Sequence, residues 1–237
     1  MDPSVKQNVL SMLATLVYIK VIVGACDWSL LHTNMPSDIS RKIIHISACS
    51  WCLFWPLFDT SHWTWQLNVA IPFAYSIQLA VKGAIIRDKH DSDVKTMSRT
   101  GDPSELLYGP LLFTLIMLFC GLYEFRTTVG TYIMGSLVGD GIAPVVGKRW
   151  PIGKYPTMGR NEYKTLSGSL GMFVGCMVGI VCYQKVLGAP SQLDMESVMQ
   201  IAFLATVAEA LTGKWDNPAI AFTVYWFAKA TDFTISI

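Results

Sequence analysis

The chain has 237 residues, of which 52% are hydrophobic and 15% charged, with a formal net charge of +1 and a mean hydropathy of +0.40. That apolar excess exceeds what soluble domains carry and points to a membrane protein. The near-zero net charge excludes the global positive field that recruits nucleic acid, and the six cysteines lack the spacing of a secreted disulfide framework.

A bilayer core needs about 20 apolar residues per helix, with a lower limit of about 17. On that scale the chain reads as an all-α, multi-pass transmembrane helix bundle of seven or eight spans, one domain over residues 1–237. The expected spans are 8–26, 43–58, 63–82, 107–123, 128–146, 166–187, 198–212 and 218–230. Lys20 interrupts the first apolar run and no small-residue cleavage site follows, so a retained span is expected in place of a signal peptide. Within 166–187, Gly171, Gly175 and Gly179 recur every four residues, a pattern that lets two backbones approach closely.

Loop charge orients these spans. The odd-numbered connections hold twelve Lys and Arg, whereas the even ones and the two termini hold four. Lys and Arg gather in cytosolic loops, which places the odd loops in the cytosol and the N-terminus outside. Trp51, Trp55, Trp63 and Trp65 surround the second loop, where an interfacial aromatic belt is expected on the opposite side.

Polar residues that could do chemistry follow in chain order. Arg41 and His45 open the second span four residues apart on one helix face, next to Lys42. Cys49 and Cys52 continue that face and raise a metal site, although one His and one Cys pair do not complete a four-ligand set. In SRTGDPSELLYGPL, Arg99, Asp102 and Glu105 precede the fourth span, with Ser104 as a candidate cap and Glu105 favouring the helix dipole. Asp140 lies between Gly139 and Gly141 in GSLVGDGIAPVVGKRW. An ionised Asp inside a membrane helix is costly unless paired, hydrated or bound to a cation, and flanking glycines expose backbone to a ligand. That segment is neither a Walker A loop nor a dinucleotide fingerprint, since Arg149 replaces Ser/Thr and Pro144 stands where the third glycine belongs.

Downstream, Lys148, Arg149, Lys154, Arg160 and Lys164 face only Glu162, a loop suited to a triphosphate and equally to a plain positive-inside loop. Glu209, Asp216 and Asn217 complete the set. Arg41, Lys42, Arg99, Glu105, Asp140, the basic loop, Glu209 and Asn217 all fall on the side assigned to the cytosol. Cations for phosphates and carboxylates for a metal or a hydroxyl proton are what phosphoryl transfer requires.

The order RKIIH, SRTGDPSELLYGPL, GDGIAPVVGKR, SGSLGMF, then AEAL and a DN pair resembles the polyprenol kinase family over residues 38 to 225. That family holds phytol, farnesol and dolichol kinases and CTP-dependent diacylglycerol kinases, and is related to CDP-diacylglycerol synthases. The resemblance implies phosphoryl transfer, often from CTP, to a membrane alcohol, with Arg41, Lys42, Asp140 and Gly147 at matching positions. Two departures stand out: the spacing from Glu209 to Asn217 is shorter than in the plant phytol kinases, and a single Asp216 replaces their acidic pair.

The combined expectation is a lipid-alcohol kinase using Mg2+ and CTP or another nucleoside triphosphate. Asp140, Lys148 and Arg149 are the catalytic candidates. Arg41, Lys42, Gly139, Gly141, Gly147 and Lys164 are the nucleotide-binding candidates, and Asp140, Glu105 and Glu209 the metal ligands. Its partners are a lipid alcohol, a nucleotide and the membrane, with no nucleic acid. The endoplasmic reticulum is favoured over a plastid, with the active face cytosolic. A CDP-lipid-forming cytidylyltransferase and a transporter are the competing readings.

Overall fold

The computed structural model describes residues 2–33, 35–158, 163–187, 195–213 and 215–231. Arg160 and Glu162 of the basic loop, and Lys214, lie outside the described residues. Helix dominates, as the apolar pattern predicted, and the chain divides into two compact units, Met1–Tyr123 and Glu124–Ile237.

The first unit begins with α1 (Pro3–His32), capped by Asp2, whose carboxylate accepts from the Ser4 N–H at 2.8 Å. At 30 residues it is about 45 Å long, more than a bilayer core needs. Its polarity is inside out. Asn8, Ser11 and Thr15 are buried, while Leu10, Leu13, Val17, Val21 and Trp28 are exposed. That arrangement suits a helix whose outer surface meets lipid and whose polar groups must find internal partners. Asn8 shows how they do so: its amide donates to the Asp59 carbonyl at 3.0 Å and to Thr64 Oγ1 at 2.9 Å, and its oxygen accepts from the Asp59 N–H at 2.7 Å.

The expected span 43–58 is not one continuous α-helix. α2 (Ser37–Cys49) gives way to a 3₁₀ segment, Ser50–Leu57, containing Pro56, whose ring and missing N–H disfavour a continued helix. Trp51 and Trp55 are fully buried and meet edge to face at 5.4 Å, so they are core residues, and Trp63 alone of the four is strongly exposed. A second 3₁₀ segment (Trp63–Val69), α3 (Ala70–Val81) and a π-helical stretch (Lys82–Ile86) follow, ended by Arg87 in the left-handed conformation at φ 52°. Short helices α4 (Ser92–Met97) and α5 (Glu105–Tyr108) lead to α6 (Pro110–Tyr123). Leu79, Val94, Met97 and Leu106 form a core there, with Ile44 and Leu111 packed against it.

In the second unit, α7 (Thr128–Arg149) is the central element, buried continuously from Thr128 to Gly141 and touched by α8 (Leu166–Val186), α9 (Met195–Leu211) and α10 (Asp216–Ala230). The α7–α8 contact is made of glycines. A Cβ on Gly139 would stand 2.5 Å from the Met172 carbonyl, and one on Gly179 2.5 Å from the Gly135 carbonyl. The packing role predicted for Gly171, Gly175 and Gly179 is what the structure displays. Between α7 and α8 the basic loop forms an antiparallel hairpin, β1 (Lys154–Pro156) with β2 (Tyr163–Thr165), pairing Tyr155 with Lys164.

Among the described residues, five helical segments are long and apolar enough to cross a membrane: Pro3–His32, Trp63–Ile86, Glu105–Tyr123, Thr128–Arg149 and Leu166–Val186. These correspond to five of the eight expected spans. The other three form α2, α9 and α10, whose 13, 17 and 15 residues sit at or below the lower limit for a bilayer core.

Candidate active site

The second unit gathers the residues with the strongest chemical potential. Asp140 is buried on α7, three turns into the helix. Pro144, four residues on, has no N–H to donate to the Asp140 carbonyl, so the helical ladder is broken at this residue. The Asp140 and Glu209 carboxylates lie close enough to feel each other's charge, and both act on the Cys176 thiol. Cys176 is buried on α8 and its Sγ donates to the Ser136 carbonyl at 3.2 Å.

Lys164 is brought to this cluster by the hairpin. Thr165 caps α8 by accepting from the Gly168 N–H at 3.0 Å, and Tyr155 and Ser169 hydroxyls meet at 2.5 Å, tying the strands to the start of α8. Lys164 Nζ then reaches Glu209 at the end of α9, donating to a carboxylate oxygen at 2.5 Å and also to the Glu209 backbone carbonyl. The Glu209 side chain is 8% exposed and that of Lys164 21%, so little water separates the pair. Asp216, at the start of α10, contributes its field to the same carboxylate.

Lys148 and Arg149 occupy the last turn of α7, where cations complement the helix dipole. Both are exposed, and Arg149 lies over the Trp150 ring at 5.7 Å. The glycines behave differently from the sequence expectation that they open backbone to a ligand. The space beside Gly139 is filled by Cys176 and Met172, and that beside Gly147 by Thr165 and Gly168, so both are packing positions against α8. Gly141 is buried on the same helix.

The first unit holds the remaining candidates. Lys42 is buried on α2, beside half-buried Arg41, and the His45 ring stands 4.4 Å from that of Phe113. Glu105 organises its own loop. Its carboxylate accepts from the N–H groups of Arg99 and Thr100, the latter at 3.1 Å, and from the Thr100 hydroxyl at 3.3 Å. Ser104 makes no side-chain cap, and Asp102 instead accepts its N–H at 2.9 Å. Sequence reasoning passed over the network of Lys82, which binds Asp91 at 2.8 Å and Asp93 at 2.6 Å, with Gln78 donating to Asp93 at 2.6 Å. The spacing of Lys82 from Asp91 and Asp93 carries no helical signal, because the left-handed turn at Arg87 intervenes.

Magnesium bound with a nucleotide needs one or two protein carboxylates, with phosphates and water completing the shell. Asp140 and Glu209 fit that requirement, whereas Glu105 is committed to its own loop. Among the described residues no group of three or more His, Cys, Asp or Glu side chains is placed to hold a metal without such help.

The fold defines a helical protein with several bilayer-length segments and a buried acidic and basic cluster at one end of its second unit. Comparison with known proteins names its relatives. The chain is 34% identical over 200 residues to "Probable phytol kinase 1, chloroplastic" of Glycine max, covering 80% of this chain and 65% of that protein. It is 30% identical over 183 residues to phytol kinase 1, chloroplastic, of Arabidopsis thaliana, covering 73% and 59%. To farnesol kinase, chloroplastic, of the same plant it is 29% identical over 176 residues, covering 72% and 56%. The chain thus spans about two thirds or less of the length of these relatives. No family model matches, and no solved structure matches. The kinase matches, over most of this chain, support the polyprenol kinase family that the sequence motifs resemble.

Proposed function

We propose that this protein is a membrane-embedded isoprenoid-alcohol kinase that transfers the terminal phosphoryl group of CTP, or of another nucleoside triphosphate, to the hydroxyl of a phytol- or farnesol-like alcohol. The observation that carries this reading is the pair of buried carboxylates, Asp140 and Glu209, with Lys164 bound to the second, in a chain whose relatives are named phytol and farnesol kinases. The lipid oxygen attacks the terminal phosphorus as its O–H proton passes to a carboxylate, for which Asp140 is the candidate, the bond to the bridging oxygen breaks, and a nucleoside diphosphate leaves with the added charge. Asp140 is assigned to the metal or to orientation of the hydroxyl, with Glu209 as the second carboxylate. Lys148 and Arg149 offset charge that develops on the phosphates, and the resemblance assigns Arg41 and Lys42 to phosphate binding. Magnesium, when bound with the nucleotide, supplies neutralisation of the phosphate oxygens. The motif-bearing loops are assigned to the side with the Lys and Arg excess. The relatives' chloroplastic names lean toward a plastid membrane and away from the endoplasmic reticulum expected from the sequence.

The test is an assay of purified protein in detergent with phytol, farnesol, geranylgeraniol, dolichol or diacylglycerol, each offered with CTP, UTP or ATP. An isoprenyl monophosphate and a nucleoside diphosphate are the expected products. Pyrophosphate with a CDP-lipid would assign the chain to the cytidylyltransferases, and lipid flux with no nucleotide consumed would make it a transporter.

A further inference from the structure

Two buried oxygens in the second unit lack the partners that burial demands. Ser136 Oγ, on a fully buried residue, makes no hydrogen bond, and neither does Asn217 Oδ1, on a residue 7% exposed. Leaving such groups unsatisfied is costly in an apolar interior, and more so where no water is at hand.

Helix register sets the two at a common level. α7 and α10 pack on each other and run antiparallel, Lys229 Nζ at the end of α10 meeting the Glu124 carboxylate, four residues before α7 begins, at 2.9 Å. Asn217 lies twelve residues before Lys229, about 18 Å along α10, which is level with the stretch of α7 from Ser136 to Asp140. Ser136 and Asp140, four residues apart, share a face of α7. That face is turned roughly 100° or more from the stripe of Gly135, Gly139, Ile142 and Val146 that packs on α8. Besides α8, α7 is packed by α9 and α10, so a face turned away from α8 is turned toward those two helices.

We propose that Ser136 Oγ and Asn217 Oδ1 form the subsite that receives the hydroxyl of a membrane-dissolved long-chain alcohol. The inference rests on the alcohol-kinase reading above. A single hydroxyl satisfies both orphans at once: the Ser136 O–H donates to the alcohol oxygen, and the alcohol O–H donates to Asn217 Oδ1, which can only accept. A cation is a poorer occupant of two neutral oxygens, which bring it no charge. The subsite then holds the acceptor oxygen near Asp140, where the proposed transfer takes place.

The experiment is equilibrium binding of radiolabelled phytol to detergent-purified protein without nucleotide, for Ser136→Ala, Asn217→Leu and the unaltered chain. Mn2+ binding with CTP is followed by electron paramagnetic resonance, and thermal stability without phytol is recorded alongside. Each substitution is expected to weaken phytol binding roughly tenfold and to leave Mn2+ binding unchanged. Each should also hold or raise the stability of the alcohol-free protein, because an unpartnered oxygen has been removed. Unchanged phytol binding in folded variants overturns the proposal. Loss of Mn2+ binding with phytol binding intact replaces it with a cation site, and a drop in alcohol-free stability shows the two groups to be structural. Ser136→Ala, which removes one oxygen atom, decides the matter if Asn217→Leu does not accumulate. Phytol bound but never phosphorylated by the unaltered protein overturns the kinase reading and leaves the subsite standing, whereas phosphorylation with unaltered binding in both variants removes the subsite alone.

Discussion

The two units differ in what joins their elements. In the first, charged and amide side chains are spent on architecture: Asn8 fastens α1 to the turn at Asp59, Lys82 holds Asp91 and Asp93, and Glu105 closes the loop from Arg99. In the second, the architecture is made by backbone contact between the glycines of α7 and α8. Asp140, Glu209 and Lys164 then collect there, and buried oxygens without a hydrogen bond occur in both units, Ser40 Oγ and Asn68 Oδ1 in the first and Ser136 Oγ and Asn217 Oδ1 in the second. A polar group that completes its own hydrogen bonds stabilises a fold, while groups left with spare capacity next to one another are what a reaction can use. The contrast says where substitutions will disable chemistry and where they will disable folding.

The largest effect is expected at Asp140. Asp140→Asn keeps the shape and removes the charge, so kinase activity should fall nearly to background while the protein accumulates normally, as read by turnover against the amount recovered from size-exclusion chromatography. Added magnesium should restore little, because the missing carboxylate is itself the proposed ligand or hydroxyl-orienting group. Substantial turnover at normal protein levels would move the catalytic carboxylate to Glu209.

The glycine contact provides the next. Gly139→Val must displace α8 backbone at the Met172 carbonyl, and overpacking of this kind costs about 1–3 kcal/mol or more. Gly24→Val on α1 meets nothing within 4 Å. Thermal unfolding in detergent should therefore show a large loss for the first and almost none for the second. Equal losses would break the distinction between a backbone-packed second unit and a first unit joined through side chains.

The smallest effect concerns acid. Burial raises the Asp91 carboxyl, but the hydrogen bond from Lys82, the Asp93 N–H and the Lys82 charge outweigh it and hold the group below its ordinary value of 3.8. A depressed carboxylate stabilises the folded state above the unfolded value and loses that contribution as pH falls through the folded one. The stability difference between the native chain and Asp91→Asn should thus be constant above about pH 4 and shrink below it. A difference that grows on acidification would show that Lys82 does not govern this carboxyl.

The amino-acid sequence by itself determined the class, five of the spans and the packing role of Gly171, Gly175 and Gly179. Apolar run length and glycine period are local quantities, written along the chain at the scale of a single helix. It also singled out Asp140, because a carboxylate between two glycines in an apolar run is conspicuous without any knowledge of its neighbours. Only the tertiary structure decided which polar residues are already occupied. Pro56 turns an expected span into a helix and a 3₁₀ segment, and Trp51 and Trp55 prove to be core. The hairpin carries Lys164 onto Glu209, 45 residues away. Ser136 is inconspicuous in GSLVGD until its lack of a partner is seen, although its place four residues before Asp140 could have marked the shared face. Whether a hydrogen-bonding group is satisfied depends on atoms contributed by distant segments, and no periodicity along the chain encodes that.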